Sequence, residues 1–142
     1  MWKISVLIVL LLFPIKVLSI ESDDTMMLLV DEPIEFSLIQ YHSVSLTTVE
    51  SILVANQDGI IVKSVIYMDQ GGAGMPNPKD INHKDNFNGS TDISLPLPLR
   101  FASDNENYLQ LETELISLES GASIDVKYTS LFNIIMDRIG VI

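Results

Sequence analysis

The chain opens on an apolar run from Ile4 to Phe13, set behind the short basic start Met1-Trp2-Lys3 and closed by Pro14 to Ser19, a breaker and a polar end. That order is the order of a secretory signal. Val17 and Ser19 fall three and one residues before the expected cut, which makes Ile20 the first mature residue. The alternative is a permanent anchor. A span needs about 20 apolar residues in one run, and Pro14 and Lys16 interrupt this one early. The expected plan is a signal over 1–19, a flexible acidic leader over 20–25, and one domain over 26–142 that carries a long loop at 70–91.

Beyond the leader, short apolar and β-branched runs alternate with turn residues. Met26–Val30 ends at Asp31-Glu32-Pro33, and Ile34–Tyr41 sets Ile34, Phe36 and Leu38 against Glu35 and Ser37. This alternation is that of half-buried strands. Val44–Ala55 and Ile60–Met68 flank Asn56-Gln57-Asp58-Gly59, a turn in which Asn and Asp favour type I and Gly59 supplies the positive φ. Ile52-Leu53-Val54 and Ile60-Ile61-Val62 are apolar on both faces, which predicts an interior place for this hairpin.

Gln70 to Thr91 differs in character, with Gly71, Gly72, Gly74, Pro76, Pro78, Gly89 and many Asn and Asp; a loop of that length is where a site is sought first. Ile93–Phe101 then alternates cleanly, but Pro96 and Pro98 remove two backbone donors and predict an edge strand. Tyr108–Leu118 follows as a strand, with a helix as the alternative, since its Leu and Glu spacing suits both. Ser123–Ser130 alternates Ile124, Val126 and Tyr128 with Asp125, Lys127 and Thr129, and Leu131–Ile142 is expected as a last strand. About seven strands with turns between them predict an all-β fold, an antiparallel β-sandwich, with a β-barrel as the runner-up.

Length and charge narrow the picture. The 142 residues fit one domain, and 47% hydrophobic residues suit a packed core rather than a disordered chain. Loss of Lys3 and Lys16 with the signal would lower the basic residues from 8 to 6 against 19 acids, moving the net charge from −11 to −13. Bases scattered singly among so many acids disfavour nucleic acid, and disfavour a membrane surface once the signal is removed. The absence of cysteine removes disulfides, thiol catalysis and thiolate metal sites.

The long loop holds the candidate ligands. Asp80, Asp85, Asn88 and Asp92, with Asn82, His83 and Asn86 among them, gather oxygen donors of the kind calcium takes. Asn88-Gly89 resembles the middle of a helix-flanked calcium loop, yet Lys84 stands where the first acidic ligand belongs and Leu95 where the final Glu belongs. A solvated loop is the plainer reading. Asn88-Gly89-Ser90 is also an N-glycosylation sequon, with meaning only in a eukaryotic secretory pathway. His42 and His83 sit on different elements, outside any HExxH or GxSxG frame. Glu112 and Glu114 read as a solvated stripe on one strand rather than a glycosidase pair. No catalytic residues and no cofactor are expected.

One pattern goes further. Ser51-Ile52-Leu53-Val54-Ala55-Asn56 opening a hairpin, with Leu118-Glu119-Ser120-Gly121 turning into a late strand at Ile124, is similar to small β-sandwich modules of bacteriophage tails and virions. Ala122-Ser123 departs from the Gly-Asp usual in that turn, and the export signal is foreign to such modules. The resemblance implies a structural or attachment role through a protein partner or self-assembly. The expected function is thus a secreted, periplasmic or cell-surface structural module. A ligand-binding sandwich, using the 70–91 loop for calcium or carbohydrate, is the alternative. On the solvated-loop reading, millimolar calcium leaves the melting temperature unchanged; a rise in a thermal-shift measurement would establish the ion site instead.

Overall fold

A computed structural model describes residues 2–42, 47–69, 93–102 and 106–140. After a short helix, α1 (Trp2–Leu12), ten strands follow: β1 (Pro14–Glu21), β2 (Thr25–Leu29), β3 (Ile34–His42), β4 (Thr47–Asn56), β5 (Gly59–Asp69), β6 (Ile93–Ser94), β7 (Leu99–Arg100), β8 (Glu106–Leu111), β9 (Glu114–Leu118) and β10 (Ser123–Ser130). A second helix, α2 (Leu131–Arg138), ends the described chain. The strands form two antiparallel sheets, β2-β1-β10-β7 and β6-β5-β4-β3-β8-β9. This is the expected all-β sandwich.

The core lies between the sheets. Leu18, Ile20 and Ile124 face it from the four-stranded sheet, while Phe36, Leu38, Leu53, Ile60 and Leu109 face it from the six-stranded one. The expected β4–β5 hairpin is present, and Asn56 forms its turn by accepting from Asp58 N at 2.8 Å and Gly59 N at 3.1 Å. Gly59 has a φ of 142°, a backbone conformation that side chains disfavour.

Three expectations are redrawn. Tyr108–Leu118 is extended, but as a hairpin of β8 and β9 folded at Glu112, whose φ of 52° marks the turn. Ile93–Phe101 is an edge shared by both sheets: β6 pairs with β5, and β7 with β10. Leu131–Ile142 does not continue as a strand, because Ser130 caps a helix there by accepting from Asn133 N at 3.2 Å.

The fourth difference concerns the N-terminus. The tail of the expected signal and the first leader residues form the strand β1, and Ser22–Asp24 turn the chain into β2. Pro14–Glu21 pairs along all eight residues with Ser123–Ser130 on one side, and from Val17 to Glu21 with β2 on the other. Leu18 and Ile20 enter the core, and Ser19, expected just before the cut, is 1% exposed and donates to Glu21 Oε1 at 3.3 Å. Lys16 donates to the carbonyl of Gln57 in the hairpin turn and lies 4.9 Å from the Tyr128 ring. Cleavage after Ser19 would remove six of the eight residues of this central strand, Pro14 to Ser19.

Across the same strand pair, Lys127 Nζ donates to Glu21 Oε1 at 2.5 Å. That hydrogen bond, with the lysine's charge, holds the Glu21 carboxyl below its ordinary value despite some desolvation. A depressed carboxylate stabilises the fold above its unfolded value of 4.5 and loses that contribution as pH falls through the folded one. Both side chains remain substantially solvated, which limits the effect to a few tenths of a kcal/mol. Acid unfolding curves of Lys127→Met should therefore show a slightly shallower loss of stability below that value. Leu18→Ala should cost about 2–5 kcal/mol in urea titrations, whereas Leu7→Ala in solvent-facing α1 should cost less than about 0.5 kcal/mol.

Candidate functional site

A sandwich has two lateral sides where strand edges meet, and here the two differ. One is laced shut by the chain from Ile93 to Phe101. Leu95 N donates to Ile60 O at 2.9 Å on the six-stranded sheet, and Phe101 N to Ala122 O at 3.1 Å near the other. Pro96 and Pro98 bring no backbone donors to this segment. Its two strand pieces are two residues each, too short to template another chain.

On the opposite side no described strand pairs with the sheet edges. The edge strand β2 of one sheet and the edge strand β9 of the other border it, and a groove of about 700 Å³ runs beside β2. Met26, Leu28, Ile34 and Leu111 give it an apolar lining that continues the core. Ser22 Oγ, in the β1–β2 turn, donates to Ser117 O at 3.0 Å, while Asp137 and Arg138 bring the end of α2 to the groove.

The phase of β2 fixes which backbone groups are free to pair. Val30 N donates to Lys16 O at 3.0 Å, and the β1–β2 register continues from there with Leu28 opposite Leu18 and Met26 opposite Ile20. Antiparallel pairs alternate between bonded and non-bonded, so residues 26 and 28 direct their N–H and C=O groups at β1. Met27 and Leu29 direct theirs outward. The strand Thr25-Met26-Met27-Leu28-Leu29 holds no charge and no proline, the devices that usually block edge pairing. Around it Asp24, Glu112, Glu114 and Asp137 face the single base Arg138, which makes the rim acidic.

Such a surface can accept an extended chain. Main-chain hydrogen bonds to Met27 and Leu29 would supply register, and apolar side chains of the incoming strand would enter the groove. Methionines suit this role because their flexible thioethers repack around different shapes. A smaller cleft of about 330 Å³ opens between the sheets near Leu95 and Phe101, where Gln40 Nε2 donates to the buried Asn107 Oδ1 at 3.2 Å.

The residues singled out from sequence fall elsewhere. Asp80, Asp85, Asn88 and Asp92 lie outside the described residues, as do His83 and the sequon at Asn88. His42 ends β3, its backbone in register with Thr47. Glu112 and Glu114 do not share a strand face: Glu112 occupies the β8–β9 turn and Glu114 opens β9, both exposed. Among the described residues, no three His, Asp or Glu side chains gather as a metal site would require. The sequence pattern did not point to the groove, although its signal was present in the uncharged six-residue run Thr25–Val30, bounded by Asp23-Asp24 and Asp31-Glu32. Set against protein-family models, curated proteins and solved structures, the chain matches none.

Proposed function

We propose that this protein is a non-enzymatic interaction module that works by protein–protein contact, displayed outside the cytosol in a cell envelope, a surface appendage or a particle. The open β2 edge beside its apolar groove carries this reading. One lateral side of the sandwich is laced and short-stranded, whereas the other leaves an uncharged strand unpaired over an apolar trough. Soluble domains ordinarily protect such an edge with charges or proline, and this strand has neither; α2 touches it without pairing with it, which leaves it a site for strand addition. The resemblance to bacteriophage tail and virion modules points the same way.

The chemistry of the site describes its partner. Five residues of β2 span about 17 Å, enough for an incoming strand of five or six residues. Alternate side chains of that strand would face the Met26 and Leu28 trough, and the acidic rim favours lysine or arginine at the remaining positions.

An octapeptide alternating valine and lysine serves as the probe. It should bind the protein and raise its melting temperature, while a valine–glutamate counterpart should not. Met27→Pro removes one outward N–H without touching the β1 ladder, so its unperturbed melting should be close to that of the parent. It should weaken peptide binding about tenfold, close to 1.4 kcal/mol. Equal binding of both peptides, or undiminished binding by a folded Met27→Pro variant, would defeat the reading.

A further inference from the structure

The end of the sandwich where β1 begins and β10 finishes carries more exposed apolar surface than the rest of the described molecule. There α1 leaves the fold with only Phe13 between it and β1. Every residue of α1 except Leu11 is exposed, with Trp2 at 75%, and none packs into the core. The apolar residues do not form a stripe. Ile4, Val6, Leu7, Ile8, Val9, Leu10 and Leu12 cover the whole circumference, so a protein partner docking on one face would leave the others in water.

Beside α1, and in contact with it, lies α2. Phe132, Ile135 and Ile139, spaced three and four apart, form an exposed apolar stripe there, with Phe132 at 44% exposed. Two helices of one end thus present apolar surface together, and a medium that surrounds one and underlies the other satisfies both. That medium is lipid. At 11 residues α1 is about 16 Å long, against the ~30 Å of a bilayer's hydrocarbon. No described helix is long and apolar enough to cross a membrane.

Retention of α1 follows from β1. The peptide bond after Ser19 lies within a strand paired on both sides, between residues 1% exposed or less. A chain cut there before folding lacks Pro14 to Ser19, so this sheet and that cleavage exclude one another. We infer that the N-terminal segment stays attached and that the α1–α2 end seats the protein on a lipid bilayer, with α1 inserted into the near leaflet. Asp31, Glu32 and Asp58 line one cleft with Gln57, whose carbonyl accepts from Lys16, so this end carries no net basic charge to attract anionic lipid, and neutral lipid suffices. The inference is independent of the strand-docking reading, which concerns the β2 edge.

Trp2 is the sole tryptophan, so its fluorescence reports on α1 alone. With the full chain and phosphatidylcholine vesicles, Trp2 emission should move to shorter wavelength, be quenched by lipids brominated along the acyl chain, and respond little to salt. Leu7→Asp, in a helix that contributes nothing to the core, should keep the parental melting curve and weaken vesicle binding at least tenfold. Phe132→Ser combined with Ile135→Ser should weaken it in part. The intact mass of the chain recovered from an exporting host should include residues 2–19. Emission unchanged by vesicles would overturn the inference. So would a blue shift that grows with protein concentration without lipid, which would assign α1 to a second copy, or a folded product beginning at Ile20.

Discussion

The pairing of Pro14–Glu21 between β2 and β10 is the constraint on which the four-stranded sheet depends. Among the described strands β2 pairs with β1 alone, so without it β2 has no neighbour there, and β10 keeps the two-residue β7. Half of the core would then lose its cover, because Leu18 and Ile20 pack from this strand onto the six-stranded sheet's Phe36, Leu53 and Leu109. Hydrogen bonds reinforce the same dependence. An unpaired central strand would strand backbone donors and acceptors on both flanking chains in a water-poor setting, and each such group costs about 1–3 kcal/mol.

Polar contacts tie this strand to the ends of other elements. Lys16 reaches the β4–β5 turn at Gln57, and Gln57 Nε2 in turn donates to Val30 O where β2 ends. The strand β1, the β4–β5 turn and the end of β2 are thus joined through one lysine and one amide. The ion pair of Glu21 and Lys127 fixes the other end of β1 to its neighbour. These contacts are modest one by one, and their effect is to hold the register that places Leu18 and Ile20 inward, since a slip of one residue would turn both outward.

Much of the architecture was legible because the mature strands obey a period of two. Ile34, Phe36 and Leu38, and again Ile124 and Val126, pointed inward where the alternation said they would. The hairpin at Asn56–Gly59 was legible from turn chemistry alone. Less legible were residues whose composition serves two purposes. Pro14 to Ser19 has the composition of a signal's tail and equally of a β-rich strand, since Ile15, Val17 and Leu18 satisfy both patterns, and its pairing with Ser123–Ser130 is a long-range contact that local pattern does not reveal. The last helix was hidden by apolar character. Its local signals were Ser130 before Leu131, Arg138 in the last turn, and Gly140, whose φ of 70° suits the residue that closes a helix. The candidate ligands at Asp80, Asp85, Asn88 and Asp92 lie outside the described residues.

The groove and the helical end arise from one asymmetry. The chain has one long excursion between the sheets on the side of β6 and β7, where a single segment pairs with both and its prolines blunt the edge. On the other side, among the described residues, the β2–β3 and β9–β10 connections pass between the sheets and leave the β2 and β9 edges bordering a groove over Met26, Leu28 and Leu111. Because β1 and β10 are the central pair and end together at Pro14 and Ser130, the helices that continue them must emerge side by side at one end. An open edge and an apolar end are therefore fixed by topology at separate positions on the domain. A protein strand added at β2 and a lipid surface under α1 and α2 would meet different residues, apart from the Asp137–Arg138 end of α2, which borders both. Any coupling between the two contacts would have to pass through that last turn of α2.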